Sequence, residues 1–271
     1  MSDRIRSIRF VRGFPILVET LINGIKTLNR SAELQGEDDG EPMEGWHLAL
    51  TLVASLFFAI LLSVVIPHGL TWLLNVAGVS GDVSGVSFQI WDGLFKLLIL
   101  VGYILLIRRV PEIRRVFQYH GAEHKTIHAF ETGRPVDVDL AAAQSRLHPR
   151  CGTTFLLFVV FMSVLLHAVL VPLFLHLWQP EGTFVKHAGT LVFKLALIAP
   201  VASISYELIR STARMRDCVC TRLLRAPGLM LQKLTTMEPE REHLEVALVA
   251  LKEALGPGSP YEVKTVPYER T

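Results

Sequence analysis

The sequence predicts an all-α, polytopic membrane protein. It has about four transmembrane helices, amphipathic helices outside the bilayer, and both termini in the cytoplasm. Three observations predict this: long runs without charge, lysines and arginines that alternate between the sides those runs separate, and apolar stripes of helical period elsewhere. The chain is 51% hydrophobic and 19% charged, against about 25% charge in a soluble domain. The deficit sits in the uncharged runs, which points to lipid rather than to a large aqueous core.

The first span is expected over residues 48–66, with Trp46 as an interfacial anchor. At a rise of 1.5 Å per residue, about 20 residues cross a hydrocarbon core of roughly 30 Å. The second covers residues 88–107. Asp92 and Lys96 interrupt it, but their spacing lets them pair on one helix face. The third covers residues 153–178 and the fourth residues 188–206, with Lys194 inside it and Glu207 just beyond. Arg4, Arg6, Arg9, Arg12, Lys26 and Arg30 precede the first span. Residues 67–87 carry no lysine or arginine, whereas the connection between spans two and three opens with Arg108, Arg109, Arg114 and Arg115. The tail resumes with Arg210, Arg214 and Arg216. Positive residues stay inside, which places both termini in the cytoplasm and the protein in an inner membrane.

Outside the spans, Leu17, Leu21, Ile25 and Leu28 share one face of a helix over residues 14–30, as an interfacial helix would. Residues 36–45 are acidic and punctuated by Gly and Pro, which predicts a linker. Leu244, Leu248, Leu251 and Leu255 form a second stripe, suited to packing on the cytoplasmic portion or on a protein partner. The organisation is thus 1–46 (N-terminal segment and linker), 47–107 (first helix pair), 108–152 (cytoplasmic loop), 153–207 (second pair) and 208–271 (tail). No cleaved signal peptide is indicated. The three cysteines make no even framework and are expected to be reduced. Walker, dinucleotide and G-x-S-x-G signatures are absent. The basic clusters are explained by topology and anionic lipid without nucleic acid.

The loop carries the chemistry. In a helix, His120 and His124 lie one turn apart on one face and can converge on one divalent cation, zinc by preference. Glu123 beside them completes the H-x-x-E-H order, in which the carboxylate is the general base of a hydrolase. His128 and Glu131 extend the face as further ligands or as partners that orient the histidines. A solvated histidine stripe is the plain alternative. A catalytic zinc needs three protein ligands and an open position, and there are two sources for the third. One is His148 and Cys151 in H-P-R-C-G, where Arg150 suits an anionic group; the plain alternative is a helix boundary. The other is Glu207, whose plain alternative is an ion pair with Arg210 or Lys194. Cys218 and Cys220 are spaced poorly for a metal knuckle, and His167 and His176 suit polar helix packing.

The segments YHGAEHKTIHAFE (119–131) and HPRCGTTF (148–155) resemble the YqhQ-like family of bacterial multi-pass membrane proteins. RGFPILVETLINGIKTLNRS, SYELIR and APGLMLQKLTTMEPE extend the likeness over most of the chain. The resemblance implies the membrane architecture and a metal-dependent activity, with His120, Glu123, His124, His148, Arg150, Cys151 and Glu207 as the matched positions, and names no substrate. The expected function is a metal-dependent, hydrolytic enzyme at the cytoplasmic membrane surface, acting on a membrane peptide or lipid-linked compound. The rivals are a scaffold or biogenesis factor for membrane proteins and a small transporter or channel. Four spans without an inverted repeat make the transporter the least attractive of the three unless it forms a dimer, and a homo-oligomer is compatible with the sequence.

Overall fold

The structure, a computed structural model, describes residues 8, 10–39, 45–149, 151–215 and 218–268. Among these residues the chain is helical throughout, and extended backbone pairs only at a bridge between Val136 and Val263. Three helical stretches are long and apolar enough to cross a membrane: Leu50–Val76, Val86–Ile107 and Gly152–Trp178. Thr183–Ala196 and Ile198–Thr212, bent by 40°, supply a fourth if they act as one span. The chain divides into two compact units, residues 1–100 with 158–211 and residues 101–157 with 212–271.

In the first unit, α1 (Gly13–Asp39) continues into the expected acidic linker, whose residues 40–44 lie outside the described residues. A side chain at Gly13 would lie 2.8 Å from the Ser203 backbone, so glycine is what lets α1 start against its neighbour. The Phe14 N–H donates to Ser203 Oγ at 3.0 Å beside it. Leu21 and Leu28 of the expected stripe are exposed.

The first span corrects the sequence reading. Residues 67–87 were expected to be a connection, yet α2 (Gly45–Ile60) runs through a π-helical turn, Leu61–Val65, into α3 (Ile66–Val76). Pro67 lacks an N–H and would clash with the preceding turn of a regular helix. The wider turn in front of it absorbs that conflict, so the proline bends the register without ending the helix.

Helix α4 (Val86–Ile107) brings Asp92 and Lys96 together as its spacing predicts, with Lys96 Nζ 2.7 Å from Asp92 Oδ2. Helix α7 (Gly152–Trp178) adds His167, whose Nδ1 lies 3.3 Å from Lys96 Nζ. Helix α8 (Thr183–Ala196) adds Lys194, 3.0 Å from the same Asp92 oxygen. Lys194 in turn reaches His68 Nδ1 at 3.3 Å, and His68 Nε2 lies 2.9 Å from His187 Nδ1. Helix α9 (Ile198–Arg214) follows the bend at Leu197, where Pro200 cannot bond back to Ala196.

The second unit is built on α5 (Pro111–Glu131), which starts with Pro at its first turn and forms the expected histidine-bearing helix. Asp137 caps the short α6 (Val138–Ala142) by accepting from the Leu140 N–H at 2.8 Å. Helices α10 (Val219–Thr235) and α11 (Arg241–Leu255) complete it. Leu244, Leu248 and Leu251 pack with Ala122, Ala129, Val136 and Ala141 into one core. Three leucines of the C-terminal stripe thus pack within their own unit, the first of the two uses expected of them. Gly121 permits the closest approach: a Cβ there would lie 2.1 Å from the Met237 carbonyl oxygen, while the Met237 N–H donates to Phe117 O at 2.9 Å.

Candidate metal centre

The site lies within the second unit. Along α5, His120, His124, His128 and Glu131 follow one another at helical spacing, and the chain returns through His148 and Cys151 to the first turn of α7. One ligand atom from each of His120, His124 and Cys151 lies within 4.8 Å of the others. His128, Glu131 and His148 form a second group by the same measure. The first group lines a cavity of about 420 Å³ together with Glu131 and His148 of the second, and with Glu123, Ile127 and Thr153. Glu123 is exposed and open to water.

Backbone carbonyls hold the rings. His120 Nδ1 lies 2.9 Å from Thr235 O, and His124 Nδ1 lies 2.6 Å from Arg146 O. A carbonyl oxygen only accepts, so each Nδ1 carries a proton, and Nε2 is the nitrogen that donates to Cys151 while protonated and offers a lone pair to a metal once that proton is lost. His120 Nε2 faces Cys151 Sγ at 3.2 Å. Two ligands of a tetrahedral zinc with bonds near 2.0 and 2.3 Å stand about 3.5 Å apart, so this separation is close to the edge of such a site. The carbonyl behind each ring is the usual companion of a metal-bound histidine, because it fixes both tautomer and orientation.

The return segment is held as firmly. Gln232, buried in α10, accepts from the His148 N–H and donates to the His148 carbonyl, both at 2.8 Å, and donates to Thr154 Oγ1 at 3.0 Å. Arg146 donates to the Thr236 carbonyl, which fixes the residue whose own carbonyl holds His124. Lys125, buried on the far face of α5, donates to Ala142 O at 2.9 Å and pairs with Glu238.

Charge within the site is displaced from ordinary values. Burial alone would push the Cys151 thiol up, but hydrogen bonds from His120 and His124, the Thr153 hydroxyl and the Thr153 N–H outweigh it and hold the thiol at about 5. The same contact with Cys151 holds His120 above the usual imidazole value, against burial. His148 is held below that value by burial and by the His128 ring beside it, despite Glu131. The sulfur is thus an anion at neutral pH, which is the form that ligates metal or attacks carbon.

Set against the sequence expectations, His120, His124 and Cys151 are brought together, and Glu123 faces the same cavity. Glu207 is not a member of this cluster. It belongs to the first unit, where Arg12 Nε and Nη2 reach its two oxygens at 2.5 and 2.9 Å. The plain alternative for Glu207, an ion pair, is met by Arg12 instead of Arg210 or Lys194: the guanidinium fork engages both oxygens and ties the start of α1 to α9. Arg150 lies outside the described residues, as does the Cys220 side chain. Cys218 sits at the start of α10, where its N–H donates to Thr221 Oγ1 at 2.9 Å. Sequence reasoning missed Gln232, Thr153, Arg146 and the Thr235 carbonyl. The L-Q-K-L-T-T stretch that carries Gln232 and Thr235 was noticed only as part of a likeness.

The family described as "Protein of unknown function (DUF1385)" matches residues 8–257. The chain belongs to this family. The "Uncharacterized protein YqhQ" of Bacillus subtilis (strain 168) is 35% identical over 264 residues, covering 93% of this chain and 78% of the relative. No solved structure matches. The YqhQ-like resemblance read from the motifs is therefore correct, and it extends across both units.

Proposed function

We propose that this family member is a membrane-bound, metal-dependent hydrolase whose metal, zinc by ligand type, sits on His120, His124 and Cys151. One observation carries the reading: two imidazoles one turn apart, each with its Nδ1–H held by a backbone carbonyl, face a thiolate within 4.8 Å. Three protein ligands leave the fourth position open for water or substrate. A metal held by these three residues would supply a water acidified toward about pH 7; Glu123 would serve as its proton acceptor, and the cavity would take the substrate beside it. Cys151 immediately precedes a helix apolar enough to span the bilayer, which favours a substrate at the membrane boundary, either a membrane peptide or a lipid-linked compound. The lysine and arginine distribution supports a cytoplasmic-membrane protein with both termini and this site inside.

The test is elemental analysis of the full-length protein purified in detergent. The wild type should carry at least one equivalent of divalent metal, and His120→Ala/His124→Ala should carry one equivalent less. Glu123→Gln should keep the metal and fail to complement a strain lacking the gene. Full complementation by Glu123→Gln with metal retained would favour the scaffold reading.

A second reading has its own support. Cys151 at the start of α7, 3.2 Å from His120 and receiving the Thr153 N–H at 3.3 Å, is also the arrangement of a cysteine nucleophile with its base. Thr235 would then orient the base. A metal-free wild type that iodoacetamide inactivates at Cys151 would select this reading over the metal.

A further inference from the structure

Resting on the metal reading, we infer that the cavity holds two divalent cations side by side, the second on His128, Glu131 and His148. These three offer one ligand atom each within 4.8 Å, as the first group does. The two groups are contiguous. Ring centroids are 4.5 Å apart for His120 and His124, 5.8 Å for His124 and His148, and 4.5 Å for His128 and His148.

The second group has the same kind of backing as the first. His128 Nε2 lies 3.0 Å from Leu147 O, so that nitrogen donates and Nδ1 keeps the lone pair. His148 is buried, and Gln232 grips its backbone from both sides, which fixes where its ring projects. His148 Nε2 lies 3.4 Å from Glu131 Oε2, close to the roughly 3.3 Å between two nitrogen and oxygen ligands of a tetrahedral zinc. Leu147 and Arg146 are adjacent, so one short stretch of backbone sets the tautomers of His128 and His124 together.

The two positions differ in chemistry. The first has a thiolate and favours zinc. The second has only nitrogen and oxygen donors and accepts zinc, manganese or iron(II). Two-metal hydrolases hold their ions about 3.5–4 Å apart and use both to clamp the attacking and leaving oxygens. That geometry suits a phosphoester substrate, which fits the lipid-linked half of the proposed class.

The experiment strips the full-length protein with chelator and reloads it with Zn²⁺ alone or Mn²⁺ alone. Bound metal is counted by mass spectrometry, and the Mn²⁺ form is read by electron paramagnetic resonance. The wild type should take two equivalents and show a spin-coupled manganese signal. Glu131→Gln and His128→Ala should each take one equivalent with an isolated-ion signal. Cys151→Ser should also lose one, leaving the second position filled. Glu131→Gln keeps size and shape, so it guards against loss of fold, and size-exclusion behaviour checks each variant. A wild type that takes one equivalent, unchanged by Glu131→Gln, overturns the second position and leaves the first standing. A wild type that takes none overturns both.

Discussion

Two polar clusters in this molecule use similar residues to opposite effect. Among the helices apolar enough to span a membrane, Asp92 accepts from Lys96 and Lys194, and the lysines reach His167 and His68. Lys194 and Asp92 are 0% and 1% exposed at their side chains, so one buried carboxylate balances the ammonium groups of Lys194 and Lys96 away from water. In the second unit, His120, His124 and His128 each have one ring nitrogen on a backbone carbonyl, and His120 and His124 line a cavity. The first cluster pairs charge with charge among the helices, whereas the second lines a cavity and is the proposed metal centre. The two sets of histidines therefore differ in which groups satisfy them, buried lysines in one and backbone carbonyls in the other, a difference that residue type alone does not show.

The comparison can be broken most severely at Asp92. Asp92→Ala leaves two buried ammonium groups without their shared carboxylate, which should destabilise the protein by about 3–5 kcal/mol. Thermal unfolding in detergent measures this, and the metal bound per folded chain should not change. The mirror experiment, His124→Ala, should abolish metal at the first position while costing much less stability, because its ring faces the cavity.

Gly121→Ala comes next. Its Cβ would meet the Met237 carbonyl oxygen at 2.1 Å, and backbone must move, at about 1–3 kcal/mol. The shift displaces the residues after α10 and should weaken metal binding, read as a lower melting temperature together with a lower metal affinity. Gln232→Ala removes the clamp on His148 and should weaken metal binding by about 10–100-fold, as outer partners of metal ligands do. Competition with a chromogenic chelator measures it.

Smaller still is a pH effect on the metal-free protein. With the thiol held at about 5, Sγ is deprotonated above that value and protonated below it. Alkylation of Cys151 should therefore be nearly flat from pH 6 to pH 8 and fall as pH drops through about 5. An ordinary thiol would instead gain close to tenfold per pH unit over that range. The least effect is expected from Glu207→Gln, which should loosen α1 and leave metal content untouched.

Much of the fold was legible because lipid imposes a simple rule on the sequence. Uncharged runs longer than a bilayer is thick have one use, and the Asp92–Lys96 spacing identified its own pair. Pro67 misled because proline usually ends a helix, whereas here a π-helical turn absorbs it. His120 and His124 were legible from their four-residue spacing, and Cys151 from its place just before a span. The partner of Glu207 was not, because Arg12 lies 195 residues away and only the fold brings its guanidinium to the carboxylate. The carbonyls of Thr235, Arg146 and Leu147 were beyond reach altogether, since every residue has a carbonyl and only the fold selects which ones meet a histidine.

The most direct test is zinc-edge X-ray absorption on the full-length protein loaded with one equivalent of Zn²⁺. The account predicts a mixed shell containing one sulfur near 2.3 Å and imidazole nitrogens near 2.0 Å, with the sulfur lost in Cys151→Ser. A shell of nitrogen and oxygen alone in the wild type, unaltered by that substitution, would contradict it.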